Sequence, residues 1–136
     1  MERSGVMGKY YNIELICVPS DYGCGANDGA YYPVGLLTLG TYLKRKNPGS
    51  NISIIDIHHE GNYRPQADFV GISANSVLNY RNVLAVAKKA KEHGATVILG
   101  GPYATRKAEE ILCNREDTVD FIIRGYGEVA LNCLLE

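Results

Sequence analysis

The sequence is short of most features that would make a role easy to read. Its net charge is only −1, so there is no electrostatic case for nucleic acid or an anionic membrane as partner. No apolar run approaches the ~20 residues that span a bilayer. The N-terminal stretch MERSGVMGKYY lacks the apolar core of a signal peptide. A cytoplasmic protein is therefore expected. Cysteine is sparse: Cys17, Cys24, Cys113 and Cys133 form no CxxC pair and no metal-ligand spacing. Cys17 falls in an apolar strand and Cys133 on a helix face, so buried free thiols are expected. Internal repeats, low-complexity tracts and linker-like segments are absent too. The 136 residues read as one domain, long enough to bury roughly 70% of the unfolded surface.

What is present is a regular alternation of strand-like and helix-like runs. Strands are predicted over 13–18, 52–57, 68–73, 96–99 and 120–124. Helices are predicted over 33–46, 79–93, 104–114 and 127–135. Pro33 suits a first helical turn, where its missing N–H has no partner to lose. Lys44, Arg45 and Lys46 complement the dipole at that helix's end. Val34, Leu37 and Thr41 form one stripe, with Leu36, Leu39 and Leu43 beside it. The strands are nearly continuous apolar runs, which signals a parallel sheet covered on both faces. The fold expected is a doubly wound, Rossmann-like α/β domain, with five strands in the flavodoxin-like order 2-1-3-4-5. The last helix runs to Glu136 without a stop signal, so the chain is read as part of something longer.

In such a sheet a ligand lies outside the carboxyl ends of the strands. The residues after each strand form one rim. It runs through a long polar loop from Ser20 to Tyr32, then His58 to Gly61, Ser73 to Ser76, Gly100 to Tyr103, and Gly125 to Glu128. Small and glycine residues dominate its last three segments, and glycine lets a ligand approach without a Cβ in the way. A large or elongated ligand over this rim is expected, although a single glycine pair would be explained by a strand–helix turn alone. The rim tyrosines Tyr22, Tyr31, Tyr32 and Tyr103 suit a ligand edge or an interface equally. Arg106, Lys107 and Glu109 read as a solvated helix face.

Four stretches now carry a resemblance: YYPVGLLTLGTYLK (31–44), ADFVGISANS (67–76), TVILGGPYAT (96–105) and VDFIIRGYGE (119–128). In this order and spacing the chain resembles the cobalamin-binding domain that precedes the radical S-adenosylmethionine (SAM) core in B12-dependent radical SAM enzymes. The resemblance implies a corrin over the carboxyl ends of the strands and a nucleotide tail descending beside strands three and four. By position, Ser73 would contact the tail, Asn75 and Ser76 would line its channel, and Gly100 and Gly101, followed by Pro102, would leave it room. Asp28, Tyr32, Pro33 and Gly35 would pass beside the corrin's lower face. Gly125, Gly127 and Glu128 would close the far wall.

The run DIHHEG at 56–61 has the DxHxxG form by which some cobalamin proteins supply a cobalt ligand. There it follows the first strand; here it follows the second, so His58 is expected to be a rim histidine and not a ligand. A radical SAM core would need a CxxxCxxC run for its [4Fe-4S] cluster, and this sequence has none. The chain is therefore expected to bind cobalamin but neither SAM nor the cluster, and to be non-catalytic alone. Its partner would be a C-terminal radical SAM core of a methyltransferase-type parent. A stand-alone corrinoid methyl carrier and a degenerate flavodoxin-like domain that no longer binds cobalamin are the alternatives.

Overall fold

The computed structural model describes residues 10–19, 34–57, 63–115 and 117–136. The predicted alternation is present: β1 Asn12–Cys17, α1 Val34–Lys46, β2 Asn51–Asp56, β3 Phe69–Ser73, α2 Val77–Glu92, β4 Thr96–Gly100, α3 Pro102–Asn114, β5 Phe121–Ile122 and α4 Glu128–Leu135. The five strands are all parallel and lie in the order β2-β1-β3-β4-β5, the arrangement expected from the sequence.

Side chains alternate between the two faces of each strand, and register aligns them into rows. One row runs Ile54, Leu15, Gly71, Ile98, Phe121, and the next runs Ile55, Ile16, Ile72, Leu99, Ile122. The second row faces α2 and α3. There Ile16, Val70, Ile72, Val97 and Leu99 meet Val83, Ala87, Ala90, Ala104 and Ile111 in the larger core cluster. The first row faces α1 and α4, where Ile13, Leu15 and Ile98 meet Leu43, Leu131 and Leu135.

Several boundaries differ from the sequence expectation for local reasons. Helix α2 starts two residues early because Ser76 caps it. The Ser76 hydroxyl accepts the Leu78 N–H at 3.1 Å, and the Asn79 side-chain oxygen accepts the Ser76 N–H at 3.3 Å. Strand β5 shrinks to two residues. Its flanks still bond to β4, Asp120 N–H to Val97 O and Ile123 N–H to Leu99 O, but Gly125 at φ +72° turns the chain away. In α1 the stripe of Val34, Leu37 and Thr41 is exposed, and Leu36, Leu39, Gly40 and Leu43 face inward. Gly40 sets that choice: a Cβ there would lie 3.2 Å from Ile54 Cδ1, so the helix sits close on β2 along this side.

The thiol expectation needs correction. Cys17 is half-buried, and Cys113 and Cys133 are exposed. In α4 the buried positions are Leu131 and Leu135, and Cys133 lies about 200° of helical rotation from each. Cys24 lies outside the described residues, as do the expected site residues Asp28, Tyr32, Pro33 and His58.

Candidate functional site

The α1/α4 side of the sheet is open at its carboxyl end. A cleft of about 600 Å³ lies there, floored by Leu15, Gly71, Ser73, Ile98 and Gly100. That volume is ordinary for a small-molecule site. The floor exists because β3 and β4 place Gly71, Ser73 and Gly100 on one face, with Ile98 the large residue among them, while Val70, Ile72, Val97 and Leu99 go to the other. At Gly71 a Cβ would press on Leu15 Cδ2 at 3.0 Å, so Leu15 leans into the space a side chain would take. One wall is α1, through Gly35, Leu36 and Leu39. The opposite wall is Ile123, Gly125, Tyr126 and the first turn of α4, Gly127, Glu128 and Leu131. The start of α3, from Pro102 through Thr105 to Arg106, forms the rim beyond β4.

Of the described residues expected at the site, Gly35, Ser73, Asn75, Gly100, Gly101, Pro102, Gly125, Gly127 and Glu128 all line this cleft. Ser76 does not, since its hydroxyl is spent on capping α2. Tyr103 does not either: it points to the opposite face and packs on Tyr80, ring centroids 4.9 Å apart. Burial holds the Tyr80 hydroxyl above its usual pKa, with a smaller contribution from the Tyr103 beside it.

The two glycines after β4 have different physical reasons. Gly101 is demanded by the turn. Its φ is +99°, and a Cβ would meet the Ala74 carbonyl oxygen at 2.6 Å. That carbonyl accepts the Tyr103 N–H at 3.0 Å, and the Ala74 N–H donates to Gly100 O at 2.8 Å, so the β3–α2 and β4–α3 connections are laced together. The space at Gly101 therefore belongs to Ala74, a correction to the expectation that it makes room for a ligand. Gly100 is the reverse case. Its φ is not positive, and a Cβ there would meet nothing within 4 Å. Nothing in the described fold requires glycine at 100; the open space is the cleft itself.

Two polar residues organise the mouth without having stood out in the sequence. Asn79 is 3% exposed. Its amide nitrogen donates to Val18 O at 3.3 Å and Ser73 O at 3.2 Å, and its oxygen accepts from Asn75 N–H at 3.1 Å. It thereby pins the carboxyl ends of β1 and β3 to the start of α2. The signal available was an Asn three residues after a Ser, a capping pair. Thr105 accepts the Gly125 N–H at 3.0 Å, tying α3 to the far wall. Ser73 donates to Asn75 Oδ1 at 2.7 Å, leaving two polar side chains at the top of an otherwise apolar floor. Arg106 and Glu128 are the only charged residues lining the cleft among those described. Arg106 is exposed, as expected of a solvated helix face, yet it also borders the cleft.

Cys17, next to Asp56 across β1 and β2, has its thiol pKa raised by burial and then by that carboxylate. No group of His, Cys, Asp and Glu side chains is placed to hold a metal ion among the described residues, and no described helix is long and apolar enough to cross a membrane.

A hopanoid C-3 methylase of Methylococcus capsulatus is 30% identical over 115 residues, which cover 76% of this chain and 22% of that protein. The chain thus spans about a fifth of that relative's length. A family model described as B12 binding domain matches residues 26–135. The match starts ahead of α1 and ends in the last turn of α4, taking in every element around the cleft except β1, and so the chain belongs to the B12 binding domain family.

Proposed function

We propose that the chain is the cobalamin-holding module of a B12-dependent radical SAM enzyme of methyltransferase type, and that it holds the corrinoid without a histidine of its own. The observation that carries the reading is Gly100, a glycine that no described feature of the fold requires, in the floor of an open cleft in a B12-binding family member. Further support comes from the size of the cleft and its apolar floor. Bound cobalamin would supply a cobalt centre able to accept and release a methyl group, chemistry that belongs to the cofactor and not to the fold. The chain's own part is to bind and to orient. Leu15, Ile98, Leu39 and Leu131 offer apolar surface to a planar base, and Ser73 and Asn75 offer hydrogen bonds at the mouth. Gly35, Gly125 and Gly127 in the walls and Gly100 in the floor add no side chain of their own to the cleft.

The methyl-transfer part of the proposal rests on the name of the relative, a methylase, and on the four stretches described above. SAM and a [4Fe-4S] cluster would be held by a radical SAM core elsewhere in the parent, because this sequence has no CxxxCxxC run. Ordinary intracellular, cytoplasmic chemistry fits that assignment.

The test is direct. The purified chain is mixed with hydroxocobalamin and desalted, and its visible spectrum is recorded. Corrinoid absorbance should persist, and Gly100→Trp should abolish it while leaving the far-UV circular dichroism unchanged. His58→Ala should leave the spectrum of the bound form as it was. Loss of the cobalt band shift in His58→Ala would instead favour a histidine-ligated corrinoid carrier, and a colourless wild-type protein would sink the cobalamin reading.

A further inference from the structure

Arg106 is the one cation among the described residues that line the cleft. Its charged neighbours are occupied: Lys107 lies 3.6 Å from Glu110, and Arg124 lies 3.5 Å from Glu109. Arg106 itself makes no hydrogen bond or ion pair with any described residue. It stands at the rim beyond β4, beside Thr105, whose hydroxyl is engaged with Gly125. The single anion of the lining, Glu128, lies in the first turn of α4, where a carboxylate complements the helix dipole. The cleft thus presents an apolar floor, one acid in the α4 wall and, at the β4–α3 rim, one guanidinium with no partner among the described residues.

Resting on the cobalamin reading above, we infer that Arg106 is a specificity residue for the anionic phosphodiester of the cofactor's nucleotide tail. The base is the part of that tail suited to the apolar floor, and the phosphodiester carries the tail's only negative charge. A guanidinium forks onto two phosphate oxygens, a pairing that is both directional and charge-assisted. Arg106 would therefore discriminate complete cobalamins from corrinoids that lack the nucleotide. It adds affinity only through the tail.

The experiment compares hydroxocobalamin with dicyanocobinamide, which has the corrin but neither the phosphodiester nor the base. Equilibrium dialysis of both is run on the full chain, on Arg106→Gln and on Arg106→Lys. The side chain is exposed and without a described partner, so both variants should fold, and circular dichroism checks this. Arg106→Gln should weaken hydroxocobalamin binding roughly tenfold, a discounted value for a charge-assisted bond at a solvated site, and leave cobinamide unchanged. Arg106→Lys should recover part of the loss, and the difference between wild type and Arg106→Gln should shrink as salt rises. Equal hydroxocobalamin affinity in wild type and Arg106→Gln overturns the inference, as does an equal loss for cobinamide. If wild type binds neither corrinoid, the reading beneath it fails first.

Discussion

The two faces of the sheet are built from the same five strands and end differently. On the α2/α3 face the helices close over β3, β4 and β5, and residues such as Val70, Val97 and Leu99 are fully buried. On the α1/α4 face the amino-terminal half is packed by Leu43, Leu131 and Leu135 against Ile13 and Ile98, but the carboxyl half is a cleft. The cause is residue size at three alternating strand positions, Gly71, Ser73 and Gly100. A sheet whose faces differ in this way has separated its tasks: one side supplies stability and the other keeps space.

Substitutions that break the comparison should rank by which side they touch. The largest effect is expected from Gly101→Ala, because it combines a backbone conformation nearly reserved for glycine with a Cβ 2.6 Å from the Ala74 oxygen. Urea unfolding should show a loss of about 4 kcal/mol, the sum of strain and overpacking. A loss under about 1 kcal/mol would mean the lacing of Ala74 relaxes freely. On the sealed face Leu99→Ala should cost about 3 kcal/mol, whereas Leu39→Ala, on a half-buried cleft wall, should cost about 1 kcal/mol. If the two cost the same, the α1/α4 side is as tightly packed as the other and the cleft closes in solution.

Asn79→Ala should cost about 2 kcal/mol, since it strands the Val18 and Ser73 carbonyls and the Asn75 N–H in a buried site. It should also loosen the cleft mouth, visible as faster hydrogen exchange at Asn75 and Ser76. The smallest effect concerns Cys17. Burial and Asp56 raise its thiol pKa, so its folded-state value lies above the unfolded one. Whatever stability this contributes is complete below about pH 8.5 and is lost as pH rises beyond it. A disulfide reagent at pH 8 should accordingly label the exposed Cys113 and Cys133 before Cys17. Labelling of Cys17 at the same rate would show that the end of β1 opens readily.

Tyr63 offers a second pH probe on the sealed side. Burial, together with its hydrogen bond to Glu14 at 2.5 Å, drives its hydroxyl well above the usual tyrosine range. Ionising it opposes folding, so stability should fall once pH passes about 10. Tyr63→Phe should blunt that fall.

Much of the architecture could be read along the chain because it follows from short stretches. The apolar runs at Ile13 to Ile16, Phe69 to Ile72 and Val97 to Leu99 announce buried parallel strands, and Asn47-Pro48-Gly49 ends α1. The small residues after strands three, four and five mark the rim for the same reason. Pairs of neighbours proved harder to separate. Gly100 and Gly101 look alike in sequence, as do the two apolar stripes of α1.

The amino-acid order alone therefore determined the element types, the parallel sheet and the end of it where side chains are small, since each depends on residues within one turn or one strand. Only the tertiary structure decided that Gly101 serves Ala74 while Gly100 serves open space, that Asn79 clamps three segments, and that Arg106 borders the cleft. Those facts arise where strands distant in sequence come into register, and the distance from a Cβ to a carbonyl in another connection is written in no single stretch of chain.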